Sequence, residues 1–155
     1  MRTTIMNSRF RLLLTAGLLA LFAFDRPGAH SVQIYLDNEM VIERYVDSRT
    51  AAPRLQLDPN GKHRELSIRY SECGRTVDGR RLTLSDQGGK ELKTWSFPGA
   101  TAGFKDPMIC KVSDILACAR AENRELRLAY ASDDFPESIQ ILALEVKSLS
   151  AVSGQ

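Results

Sequence analysis

The chain has two histidines, three cysteines and one tryptophan among 155 residues, and each scarcity removes a class of function. A zinc site needs Cys or His ligands clustered at short spacing, and neither a CxxC nor an HxxxH pair occurs. Serine-type hydrolysis needs a histidine base and often a Gly-x-Ser-x-Gly elbow, and the elbow is missing. Gly88-Gly89-Lys90 places a lysine behind glycines but lacks the spaced first glycine and following helix of a phosphate-binding loop; it reads as a hairpin turn. No glycine period, heptad, internal repeat or polar low-complexity tract is present, which excludes collagen-like, coiled-coil and disordered chains. Glycosidase carboxylates cannot be singled out, because many acids are available and no spacing selects two. No motif asks for a cofactor.

Long apolar runs are also scarce, with one exception. Arg2, Arg9 and Arg11 precede an apolar run over residues 12–24, which stops at Asp25 before Pro27-Gly28 and the small-x-small exit Ala29-His30-Ser31. A basic start, a run of this length and such an exit predict a secretory signal peptide over 1–31. The run is shorter than the roughly 20 residues of a membrane span, so no transmembrane span is expected after leader cleavage, and the mature chain begins at Val32. The formal charge of +2 then changes sign. Taking away the leader's four arginines and its one aspartate leaves 17 basic and 18 acidic residues, a net charge of −1. No clustered basic charge remains to engage nucleic acid. The expected location is secreted or periplasmic.

What the mature part does have is a period of two. Val32, Ile34 and Leu36 alternate with polar neighbours, and Asp37-Asn38-Glu39 turns the chain into a second run over 40–46. Asp58-Pro59-Asn60-Gly61 is a turn signal ahead of the alternating Leu66, Ile68 and Tyr70. Leu82 and Leu84 lead through Asp86-Gln87-Gly88-Gly89 into residues 90–97, a hairpin in which Leu92 and the Trp95/Phe97 pair are out of phase. That arm therefore carries a bulge or packs on both faces. Residues 138–146 are almost wholly apolar, as in a strand inside a sheet. Helical character is confined to one short stretch near 114–121, with Ser113 as its expected N-cap. Eight or nine strands at this spacing predict an all-β domain over 32–147, an antiparallel β-sandwich of immunoglobulin-like or jelly-roll-like type, with a fraying tail over 148–155. A small β-barrel with a ligand cavity lined by Tyr70, Tyr130 and leucines is the alternative.

In an exported chain two of Cys73, Cys110 and Cys118 should pair. Cys73–Cys110 would join strand ends and be worth about 3–4 kcal/mol by loop entropy. Cys110–Cys118, or no bridge, stays open. Other residues form candidate sites, each with a plainer reading beside it. Arg75, Arg80 and Arg81 with Trp95 and Phe97 make a candidate ligand surface; the plainer reading is a charge-balanced sheet face and aromatic packing. Asp133, Asp134 and Glu137 make a candidate cation loop, although the EF-hand pattern is absent and a solvated turn suffices. His63 reads as a solvated loop histidine, with a Cys73–His63 dyad as the catalytic alternative.

SIRYSEC at 67–73, GRRLTLSD and KELKTWSF within 79–97, MICKVSDIL at 108–116 and LRLAYASDDFPESIQILAL at 126–144 together resemble small exported bacterial proteins built of a leader and one β-sandwich-like domain. The resemblance covers most of the mature chain and implies a fold and a location. No catalytic motif accompanies it, so it implies no site residue. The expected function is a non-enzymatic binding or structural module of the cell envelope or extracellular space, meeting a protein or envelope component through a sheet edge. A carboxylate- or cysteine-dependent hydrolase and a small-ligand barrel are the alternatives.

Overall fold

The computed structural model describes residues 30–47, 49–101, 103–119 and 124–147. The expected leader up to residue 29 and the expected tail from 148 lie outside them. The described chain forms β1 (His30–Leu36), β2 (Glu39–Val46), β3 (Arg54–Leu57), β4 (Glu65–Ser71), β5 (Arg80–Asp86), β6 (Glu91–Phe97), β7 (Met108–Lys111), one helix α1 (Val112–Cys118), β8 (Glu125–Ala131) and β9 (Ile139–Val146). No helix among these residues is long and apolar enough to cross a membrane.

The strands sort into a four-stranded sheet, β2-β1-β4-β7, and a five-stranded sheet, β3-β9-β8-β5-β6. Alternation in each strand sends one set of side chains inward. Val32, Ile34, Leu66, Ile68, Met108 and Cys110 of the first sheet meet Leu82, Leu84, Leu126, Leu128, Leu142 and Leu144 of the second in one continuous core. The fold is an all-β, sandwich-like one. The barrel alternative is corrected: no ladder joins the two sheets among the described residues, and the interior is filled. Tyr70 and Tyr130, expected to line a cavity, instead stack on each other with ring centroids 3.9 Å apart.

Two local features, the direction of β3 and the start of the helix, depart from expectation, and an irregularity expected in the second hairpin arm is seen as a bulge. β3 pairs with β9 in parallel, Arg54 opposite Ala143 and Leu57 opposite Val146; residues 47–53 carry the chain from the edge of one sheet to the edge of the other, so no hairpin dictates its direction. In β6, Ser85 faces Glu91 and Leu84 faces Lys93. Leu92 is therefore the extra residue of a bulge, which resolves the phase conflict and turns Lys93, Trp95 and Phe97 to the inner side. The helix starts one residue ahead of the expected Ser113 cap, and no side chain caps it. β7 runs directly into α1, and the carbonyl of Arg64 accepts the Val112 N–H at 2.8 Å, so backbone does the work of a cap.

The tentative Cys73–Cys110 disulfide is also corrected, since all three thiols are free. Cys110 sits opposite Leu66, near the start of β4, and Cys73 lies beyond that strand's other end. Ser71 is already about 16 Å along the strand from Leu66, against the roughly 4.4–6.8 Å between Cα atoms that a disulfide bridges.

Candidate functional site

β2 is the longest described strand on a sheet edge, at eight residues, and it mixes three charged residues with exposed apolar ones. Glu39 and Glu43 are its acids, but Met40, Val41 and Tyr45 are exposed, Tyr45 by 74%. The β1–β2 ladder passes from Ile34–Ile42 to Tyr35–Met40, which leaves Val41 as a bulge residue on the open side. Behind this edge the outer face of the sheet is tied together by polar contacts. Gln33 Nε2 donates to Glu43 Oε1 at 2.6 Å, and the Tyr35 hydroxyl donates to Gln33 Oε1 at 3.1 Å. The Arg69 guanidinium lies 5.0 Å from the Tyr35 ring centre and donates from Nη1 to the Phe104 carbonyl. The other edges are less open. β3 and β7 have four residues each, and β6, which like β2 carries a bulge and charged residues, has Leu92, Trp95 and Phe97 packed against the core rather than exposed.

A second polar group is buried where the sheets meet. Glu72, just past β4, is 6% exposed; its Oε1 accepts from the Tyr130 hydroxyl at 2.9 Å and from Ser132 Oγ at 2.6 Å. Ser132 Oγ in turn accepts the Phe135 N–H. His30 Nδ1 lies 2.9 Å from the Tyr70 hydroxyl, and the His30 ring meets Phe135 edge-on. Burial, reinforced by the Glu72 charge, holds the phenols of Tyr70 and Tyr130 above the ordinary tyrosine range. These contacts join β1, β4 and β8, and they satisfy a buried carboxylate without a cation. They provide a clamp, with no nucleophile set against a base.

The residues singled out in the sequence do not converge. Arg80 and Arg81 are neighbours in β5 and point to opposite faces. Arg80 is buried and donates from Nε to the Pro98 carbonyl at 2.8 Å and from Nη1 to the Asp106 carbonyl at 2.7 Å, so it anchors the loop after β6. Arg81 is on the outer face, 3.3 Å from Asp133. Arg75 is exposed in the turn after β4, and Trp95 and Phe97 are half-buried against the core. The candidate ligand surface of these five residues is thus not assembled. Nor is the cation loop: Asp133 is engaged with Arg81, Asp134 and Glu137 are exposed, and no group of three His, Cys, Asp or Glu among the described residues is arranged to hold a metal.

His63 lies ahead of β4 and Cys73 beyond its far end, which separates the proposed dyad by the length of the strand. His63 pairs with Asp37 at 3.0 Å. Asp37 takes a left-handed backbone, φ 56°, and its Oδ1 accepts the N–H groups of Arg64 and Glu65. These backbone bonds, with His63 beside them, lower its pKa to about 2. Sequence reasoning missed the buried roles of Glu72 and Arg80, because charged residues are read as exposed by default. The signal was their position: Arg80 falls in phase with Leu82 and Leu84.

No protein-family model matches the chain, and no curated protein is significantly similar to it. The fold alone defines the class, a sandwich-like all-β protein whose longest edge strand is β2.

Proposed function

We propose that the chain is an exported, non-enzymatic β-sandwich module that binds a protein or envelope component by strand addition along β2. The observation that carries this reading is the β2 edge, eight residues long with Met40, Val41 and Tyr45 exposed. Main-chain groups on such an edge supply affinity, and the apolar side chains supply contact area. The export half of the proposal rests on the basic start, the apolar run and the small-x-small exit of residues 1–31. Because His30 and Ser31 pair with Val46 and Tyr45 in the β1–β2 ladder, cleavage after Ser31 would take two residues from β1.

The test is a photo-crosslinking amino acid introduced at Val41 or, as control, at Thr94 on the outer face of the other sheet, in cells of the native organism. A discrete adduct from Val41 and none from Thr94 is expected. That adduct should vanish in a Met40→Lys/Tyr45→Lys background whose thermal unfolding is unchanged. Equal crosslinking from both positions, or an adduct indifferent to the lysines, overturns the reading.

A further inference from the structure

The outer face of the five-stranded sheet, remote from β2, carries a trough of about 250 Å³ between β3, β9 and β8. Its walls and floor follow from register. Arg54 of β3 and Arg127 of β8 each face Ala143 of the intervening β9. Two arginines thus stand about 10 Å apart, two strand spacings, with only a methyl group between them. Two residues along β9, about 6.6 Å away, Glu145 is flanked by Glu125 of β8. Gln87 donates to Glu125, and Gln140 lines the opposite end.

The arrangement is costly as pure structure. Glu125 and Glu145 are directly opposite each other, a like-charge pairing that destabilises a ladder. Neither Arg54 nor Arg127 forms a salt bridge among the described residues, although carboxylates stand one row away. A cation pair and an anion pair, with no direct ion pair between them among the described residues, flank a concave floor on backbone rows whose spacing the register sets.

We infer that this trough binds a small peptide zwitterion, its carboxylate between Arg54 and Arg127 and its ammonium between Glu125 and Glu145. The scale fits. An extended dipeptide spans about 7 Å, close to the spacing between the two charged rows, and a trough of this volume lies just below the usual range for drug-sized ligands. Planar guanidinium groups suit a carboxylate held from two sides. The site is independent of the β2 edge, so either proposal can fail alone.

The experiment is a titration of the ¹⁵N-labelled protein, followed by amide shifts, with alanyl-alanine, its N-acetyl form and its C-terminal amide. Alanyl-alanine is expected to bind in the millimolar range and to shift amides of Arg54, Arg127, Ala143 and Glu145. Blocking either terminus should weaken binding about tenfold, the equivalent of one lost charge-assisted contact. Arg127→Gln should weaken binding similarly. Glu145→Gln should also weaken it, while leaving the melting temperature unchanged or higher because the like-charge pair is relieved. Shifts that map elsewhere, equal response to the blocked peptides, or no response at tens of millimolar overturns the inference. Loss of affinity for the N-blocked or C-blocked peptide alone overturns the two-ended site.

Discussion

Gly79 shows how much one backbone position can hold. It lies at φ +57°, and a Cβ there would stand 2.2 Å from the carboxyl group of Asp133. Gly74, at φ +72°, has open space around the same added atom. Left-handed backbone costs an L-residue about 1–2 kcal/mol, so Gly74→Ala should lose about that much. Gly79→Ala should lose at least about 1 kcal/mol more, as the Asp133 turn is displaced together with the Arg81 contact. Urea unfolding of the two variants measures the difference, and equal losses would show that the Asp133 turn yields freely. The buried phenols predict a pH dependence. Tyr70 and Tyr130 stay protonated in the fold at pH values where the unfolded chain, with ordinary values near 10, begins to release protons. Below pH 10 this stabilisation is fully present; as pH rises further the unfolded state binds fewer protons and stability falls, by up to about 1.4 kcal/mol per pH unit for each group. Tyr130→Phe should reduce that alkaline slope. It should also cost about 1–3 kcal/mol at neutral pH, because Glu72 keeps only Ser132 as a donor. Neither effect was visible in the sequence, where Glu72 is one acid among many and its partners lie 58 and 60 residues away.

Strand existence was legible because burial on one face writes itself as a period of two: Leu66, Ile68 and Tyr70, or Leu126, Leu128 and Tyr130, mark β4 and β8 directly. The apolar stretch now seen as β9 also lies inside its sheet, between β3 and β8. The bulge in β6 was legible as a phase conflict. The direction of β3 was not, since four residues at an edge carry no information about which way their partner runs. Pairing of the cysteines was equally hidden, because it depends on position along β4, which the spacing of Cys73 and Cys110 does not report. The consequence is measurable. Cys73 is exposed, and burial pushes the Cys110 thiol up to about 12. A thiol reagent should label Cys73 rapidly in the native protein and Cys110 only on unfolding; prompt native labelling of Cys110 would contradict its place in the core. β1 makes a second demand at this scale. His30 and Ser31 belong to β1 through the His30–Tyr70 hydrogen bond and the Ser31–Tyr45 and Ser31–Ser71 pairings. A chain starting at Val32 should therefore melt at a lower temperature than one starting at His30, and equal melting temperatures would show that the two residues add nothing to β1.

At the scale of the whole molecule, the candidate surfaces were the least legible part. The trough over Ala143 arises from residues far apart in sequence, and β2, though continuous in sequence, is an edge only because strand order gives it one partner; strand order is a property of the complete sheet. That order has a temporal side. Among the described strands β9 comes last in sequence, yet it lies between β3 and β8 and is the only partner of β3 within that sheet. A growing or threading chain therefore holds β3 and one side of β8 unsatisfied until residue 146 emerges. Closing a loop of this length is slow. A chain ending at residue 138 should remain unfolded by circular dichroism and collect in aggregates; a folded monomer of that length would show that β9 is dispensable.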